Sequence, residues 1–393
     1  MADFFERSLI LHEQLRGKIS VHNKLPVGSR DDLSLAYTPG VARPCEIIAA
    51  DPQAAYKLTI KGNSVAVVTD GSAVLGLGDI GPLASLPVME GKALLFREFA
   101  KIDAWPICLD TKDPDKIIET CRLIAPVFGG INLEDISAPR CFEIEEALQD
   151  LGIPVFHDDQ HGTAIVLLAA LINATKVIGK ELKDITVVIN GAGAAGTAIA
   201  RLISGVGVDG GDIQPVGDVI ICDSKGAISA DRSDLNSAKQ GLLEFSNKSG
   251  RSGTLKEVLK GANAFIGVSK GNIISAEDVK TMASDAIILA MANPTPEIMP
   301  DEAKKGGAAV IGTGRSDFPN QVNNVLVFPG IFRGALDARS PVISGAMKIA
   351  AAKALAGAVD EVSADQILPH PLDRTVAPEV AKQVRAAAKA SMK

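Results

Sequence analysis

The sequence predicts an α/β chain: a mixed α/β N-terminal domain over residues 1–157, then a doubly wound Rossmann-type domain with C-terminal helices over 158–393. Three observations predict it. At 393 residues the chain is too long for one ordinary core. Its second half alternates short apolar runs with small-residue helical stretches, the pattern of a parallel sheet covered by helices. One of those runs leads directly into a G-x-G-x-x-G turn.

The first half is less regular. Strands are expected at 64–69, 105–110 and 129–133, with a helix over 86–101. The domain boundary is placed near 154–162, and a helix over 163–178 leads into the second domain. There the expected strands are 185–190, 218–223, 264–268, 286–291 and 308–311. The last stretch, 375–393, reads as an Ala/Lys/Val helix whose task is packing.

Composition narrows the function classes. Apolar residues make up 47%, enough for a large core. A net charge of −7 without a basic run argues against nucleic-acid and anionic-membrane partners. The N-terminus carries acids early and lacks a cationic start, so no secretory signal is expected. The longest apolar run, 164–172, is far shorter than the roughly 18 residues of a membrane span. Five scattered cysteines without a C-x-x-C pair fit reduced cytoplasmic thiols better than a disulfide framework or a zinc site.

The stretch ITVVINGAGAAG supplies Gly191, Gly193 and Gly196, with Ala194 and Ala195 between them. A strand precedes it and a small-residue helix follows. Such glycines permit a tight turn and close approach to a pyrophosphate at the helix N-terminus. The next strand ends at Asp223, where a carboxylate can meet the adenosine ribose hydroxyls. An acid there repels a 2′-phosphate and favours NAD; Ser224 and Lys225 keep NADP as the alternative. A second match, Gly76, Gly78 and Gly81, carries Asp79 inside the loop. A carboxylate facing a phosphate is unfavourable, so this loop is read as lining the active cleft.

Two acid pairs stand out. Glu134 and Asp135 end one apolar run, and Asp158 and Asp159 end another. Neighbouring strand residues face opposite sides, so a paired acid at a strand end signals a bend or a site. All-oxygen ligation selects Mg2+ or Mn2+ over zinc. The flanking His157 and His161 are expected as hydrogen-bond partners rather than ligands.

Together these features resemble the malic enzyme family, in its short bacterial and archaeal form. The resemblance rests on SLAYTPGVA (34–42), VTDGSAVLGLGDIG (68–81), EGKALLF (90–96), NLEDIS (132–137), FHDDQHGTA (156–164), INGAGAAG (189–196), MANPTPE (291–297) and GRSDFPNQVNNVLVFPG (314–330). It implies an N-terminal malic domain and an NAD(P)-binding domain. The implied reaction is metal-dependent oxidative decarboxylation of L-malate to pyruvate and CO2, with oxaloacetate decarboxylated as well. Carried over by motif, Tyr37 matches the family's proton donor and Lys92 its base. Glu134, Asp135 and Asp159 match its metal ligands, and Asp158 an acid beside the lysine. Asn293 and Asn324 match asparagines that touch nicotinamide and substrate; Asn323 is the neighbouring candidate. A homodimer is expected, with an active site that subunits can share. One departure is visible: Ala73 stands where longer members carry a substrate-binding arginine, and Arg43 or a partner residue is the candidate substitute. To act as a base, Lys92 is expected to have its pKa lowered by burial and nearby positive charge.

Overall fold

The computed structural model describes residues 2–74, 76–208 and 211–392. Leu75, within the 68–81 motif, and Lys393, at the end of the expected last helix, lie outside them. The chain begins as an arm of helices: α1 (Ala2–Leu15), α2 (Arg30–Ala36), α3 (Ala42–Ala50) and the short α4 (Ala55–Leu58). Ser29 and Asp32 form a capping box that starts α2. These helices are absent from the sequence expectation. No residue of α2, α3 or α4 is buried, and Phe4, Phe5, Leu9, Ile10 and Leu15 of α1 are exposed.

The first sheet follows as β1 (Ser64–Thr69), β2 (Asp103–Cys108), β3 (Gly130–Leu133) and β4 (Val155–His157). The strands are parallel in the order β2-β1-β3-β4. Helices α5 (Gly81–Ala100), α6 (Pro114–Ile124) and α7 (Arg140–Ala147) make the crossovers. α5 starts earlier than expected because Pro82 sits in its first turn, where no backbone donor is needed. β2 begins two residues before its predicted start. Its Pro106 pairs with Val67, which an edge strand tolerates.

The long, almost entirely buried α8 (Asp158–Val177) leads into the second sheet. That sheet holds β5 (Thr186–Asn190), β6 (Asp218–Asp223), β7 (Gly226–Ala227), β8 (Ala264–Gly267), β9 (Ile287–Ala290) and β10 (Val310–Thr313). Its order among the described residues is β10-β9-β8-β5-β6-β7. Every pairing is parallel except β6 with the two-residue β7. The connecting helices are α9 (Ala194–Ile203), α10 (Ser237–Leu242), α11 (Leu255–Val258), α12 (Ala276–Lys280) and α13 (Pro300–Lys305). β10 lies two residues beyond its predicted position, because Gly307 in the left-handed region (φ +92) carries the turn out of α13 before the strand can start. The order reverses between β5 and β8, and ligands of open α/β sheets bind at such a switch point.

Three helices complete the chain: α14 (Phe328–Ala338), α15 (Gly345–Gly357) and α16 (Val376–Ser391). α14 returns to the first sheet. Its Phe328 and Phe332 meet Phe96 of α5 edge to face at 4.8 and 5.4 Å, and Phe332 meets Phe156 of β4 at 5.8 Å. All four rings are fully buried, each worth roughly 1.5–3 kcal/mol in apolar burial. The Phe332 ring packs against Gly130, the first residue of β3. Among the described residues no helix is long and apolar enough to cross a membrane.

Candidate active site

Strand register explains why the acid pairs meet. β3 and β4 are hydrogen-bonded neighbours, with Leu133 opposite His157. The residues that follow, Glu134–Asp135 and Asp158–Asp159, therefore emerge side by side. Asp135 takes a left-handed backbone (φ +53), the bend that an acid pair at a strand end requires. Its backbone N–H donates to the Asp159 carboxylate at 2.8 Å. Asp158 and Asp159 form the first turn of α8, where the helix dipole favours negative charge.

Lys92, on α5, reaches into this group and is buried. Its Nζ lies 2.6 Å from Asp158 and 2.8 Å from Glu134. It also sits 4.1 Å from the centre of the Phe328 ring. Asn132 donates to the other Glu134 oxygen at 2.8 Å. Burial alone would lower the Lys92 pKa, but the carboxylates of Asp158, Glu134 and Asp159 outweigh it and hold the ammonium above its ordinary value. This corrects the expectation of a lowered lysine: within the chain's own residues, negative charge dominates. Burial pushes the Asp158 acid up to about 7 against the pull of Lys92. Burial and the neighbouring Asp159 and Glu134 push Asp135 up to about 9.

Glu134, Asp135 and Asp159 each offer an oxygen within 4.8 Å of the others. The buried Asp135 Oδ2 and Asp158 Oδ1 have no hydrogen-bond partner among the described residues. Four carboxylates face one ammonium here. Orphaned oxygens and excess negative charge are what a divalent cation would neutralise, and an all-oxygen donor set suits Mg2+ or Mn2+.

Of the two asparagines at 323 and 324, Asn323 spends its side chain capping Val325 N–H at 2.9 Å. Asn324 lies beside Asp158: its Cβ and the Asp158 carboxylate would both crowd a side chain on Gly162. Asn293 lies on the loop after β9, whose backbone oxygen would be 3.6 Å from a Cβ on Gly76. The glycine loop of the first half thus faces the asparagine loop of the second, as a cleft-lining loop should. Its Asp79 is half-exposed and ion-paired with Lys112. Buried Glu297 braces this rim, accepting from Ser269 N–H and Ala292 N–H at 3.0 Å each. Arg43 is exposed on α3 and pairs with Glu46 at 3.1 Å. Tyr37 is 67% exposed, and among the described residues no hydrogen bond ties it to the Lys92 group.

The second glycine loop has the geometry of a phosphate cradle. Gly191 has φ +129, and a Cβ there would press on Val268 O at 2.8 Å. A side chain on Gly196 would overlap the Gly191 carbonyl oxygen. Gly193 caps α9 without any side-chain bond, and no acid stands in the first turn. The leading N–H groups around Ala194, Ala195 and Gly196 are left to an anion.

Asp223 ends β6 as expected, but it is not alone. Arg232 grips it at 2.9 and 3.1 Å, Lys239 at 2.5 Å, and Lys225 N–H donates at 2.9 Å. Burial would raise its acid, yet these cations hold it near 2. The Lys225 side chain, expected to serve a 2′-phosphate, pairs instead with Asp234 at 2.7 Å. Sequence reasoning missed Arg232 and Lys239 because they fold back from nine and sixteen residues downstream. It also missed Glu145 and Lys348, which no motif spacing marks, and gave no role to Glu297 at the end of the MANPTPE stretch.

Comparison with known proteins agrees with this geometry. Residues 16–149 match the model of the malic enzyme N-terminal domain, and residues 160–389 that of the malic enzyme NAD-binding domain. The chain is 56% identical to a bifunctional malic/malolactic enzyme of Bacillus subtilis, covering 98% of this chain and 92% of that protein. It is 55% identical to an NAD-dependent malic enzyme of Geobacillus stearothermophilus, covering 98% and 78%. Its structure superposes on the NAD-dependent malic enzyme of Thermotoga maritima with a TM-score of 0.91 at 45% identity, covering 96% of this chain and 98% of the other. With matching sequence, matching fold and a carboxylate cleft at the expected place, the chain belongs to the malic enzyme family.

Proposed function

We propose that this protein oxidises L-malate with NAD and decarboxylates it to pyruvate and CO2, and that it also decarboxylates oxaloacetate. One observation carries the site assignment: Lys92 is clasped by Asp158 and Glu134 beside three carboxylates that converge within 4.8 Å. Glu134, Asp135 and Asp159 would hold Mg2+ or Mn2+. Bound there, the cation would supply positive charge at the substrate's C2 oxygen, and NAD would supply the hydride acceptor.

The chain's own residues then move the protons. With the carboxylates that hold the Lys92 ammonium up offset by that positive charge, the lysine stands as a free amine beside Asp158 Oδ2, 2.6 Å away. The free amine takes the proton of the C2 hydroxyl as hydride leaves C2. After CO2 departs, the Tyr37 hydroxyl protonates C3 of enolpyruvate, and Lys92 returns a proton to the tyrosine. Asn293 and Asn324 orient substrate and nicotinamide. Gly191, Gly193, Ala194, Ala195 and Gly196 hold the pyrophosphate. The direct test is L-malate-dependent NAD reduction in the presence of Mn2+. No turnover with either nicotinamide cofactor would overturn the reading.

NAD is assigned as the preferred cofactor on the Asp223 carboxylate and on the likeness to the NAD-dependent Geobacillus enzyme. An NADP-dependent malic enzyme of Escherichia coli stands at 49% identity. Replacing Asp223 by serine is expected to free Arg232 and Lys239 for a 2′-phosphate. The shift toward NADP should be about 1–3 kcal/mol, the size of a strong site-to-site coupling. The ratio of kcat/KM values for the two cofactors reads it out. A ratio within about twofold of wild type would mean that this carboxylate does not face the ribose.

A homodimer in the cytoplasm completes the reading. Free cysteines suit a reducing compartment. The arm exposes Phe4, Phe5, Leu9, Ile10, Leu33, Leu35 and Tyr37, more apolar surface than a soluble monomer ordinarily presents in one segment. A second copy covering the arm would also fix Tyr37. Light scattering should give twice the 40.9 kDa chain mass; a fully active monomer would contradict it.

A further inference from the structure

Behind the metal-facing turn of α8 lies a line of buried polar groups that the reaction does not use. Glu145 of α7 is nearly buried. Its carboxylate accepts from His157 N–H at 3.1 Å and from Gln160 Nε2 at 3.3 Å. His161 Nε2 lies 2.9 Å from one Glu145 oxygen and 3.0 Å from the other. The second ring nitrogen, His161 Nδ1, lies 3.0 Å from Lys348 Nζ on α15. Three helices and both halves of the molecule therefore meet in one chain of hydrogen bonds.

The chemistry of the donors fixes its polarity. A lysine ammonium can only donate, so Nδ1 of His161 must accept. Nε2 then carries the hydrogen and donates to Glu145. Burial would raise the Glu145 acid, but His161 and Lys348 hold it near 2, so the carboxylate is ionised. That carboxylate does a second job. His157 is the N-cap of α8, and its own side chain makes no capping bond. Glu145 accepts the N–H of His157 itself, the bond that an N3 acid makes in a capping box, here from another helix and at the end where the helix dipole favours an anion. The capped turn is the one that carries Asp158 and Asp159.

We infer that Lys348 is a positioning residue: acting through His161 and Glu145, it holds the first turn of α8 and so sets the placement of Asp158 and Asp159. It touches neither metal nor substrate. It comes from the dinucleotide-binding half, so the carboxylate turn is tied to that half's last helices. The inference rests on the proposed metal site for its consequence, but not for the relay itself.

The relay is tested in the metal-free protein by 15N NMR of the imidazoles, with His161 assigned from a His161→Asn variant. Wild type should show the Nε2–H tautomer at His161. Lys348→Met should lose that fixed pattern, and Lys348→Arg, which keeps a donor, should restore it. The consequence is tested by Mn2+ titration followed by electron paramagnetic resonance. Lys348→Met should weaken Mn2+ binding by about tenfold or more, the usual cost of losing a partner that orients a ligand. NAD binding, followed by fluorescence, should stay unchanged. Should Lys348→Met fail to fold, Lys348→Leu, which also lacks a donor, carries the same two measurements. An unchanged His161 tautomer in the variant overturns the relay. A changed tautomer with unchanged Mn2+ affinity overturns the link to the carboxylates. If wild type binds no Mn2+, the metal reading falls, and the NMR result alone decides the relay.

Discussion

Replacing Lys92 by alanine is expected to remove malate oxidation while leaving part of the oxaloacetate decarboxylation. The first step needs a base at the C2 hydroxyl, and Lys92 is the lysine that, among the described residues, sits with the four carboxylates. Oxaloacetate already carries the carbonyl and bypasses that deprotonation. A positioned base is worth about 10²–10⁴-fold, well above the error of steady-state rates. The change also leaves Asp158 and Glu134 without their buried counter-ion, which costs stability of about 3–5 kcal/mol. Thermal melts must therefore accompany the kinetics. Tyr37→Phe should show the converse pattern, with ketonisation of enolpyruvate slowed most. A lysine variant with ordinary malate oxidation would move the base to another group, Asp158 first. A tyrosine variant that ketonises at the wild-type rate would strip Tyr37 of its role.

Asp159→Ala should abolish metal-dependent turnover and leave NAD binding nearly intact. Its carboxylate is 38% exposed, more open than the buried carboxylates of Asp158 and Glu134, and converges with Glu134 and Asp135. On the proposed reading the adenosine half of the cofactor docks elsewhere, on Gly191 to Gly196. Charge stabilisation by a bound cation is worth several kcal/mol, so the loss should be about 10³-fold or more. Malate oxidation and NAD fluorescence titration, run in parallel, separate the two sites. Ordinary turnover would remove Asp159 from the centre.

Much of this site was legible where chemistry is local. The spacing of Gly191, Gly193 and Gly196 after an apolar strand encodes a turn that only glycine can make, and the structure makes it. The E-D and D-D pairs mark strand ends, and neighbouring strands bring them together. What sequence could not carry was long-range pairing. Lys92 was expected to be depressed by burial and a nearby positive charge; among the chain's own residues three carboxylates reverse the sign. Asp223 was read as a bare carboxylate, although Arg232, from the stretch after β7, and Lys239, from α10, neutralise it. The arm helices were missed because their apolar residues stay exposed, so no buried face gave them a clear period. Helix α5 was read as 86–101, yet it opens at Gly81 with Pro82 in its first turn, where no N–H is needed.

The most direct test of the account is a single assay: L-malate, NAD and Mn2+ with the purified protein, following NADH by absorbance and pyruvate by a separate end-point measurement. The account predicts equimolar NADH and pyruvate, loss of both on adding EDTA, and recovery when Mn2+ is restored in excess. NADH formed without pyruvate would mean that malate is oxidised but not decarboxylated. Turnover unaffected by EDTA would contradict a cation held by Glu134, Asp135 and Asp159.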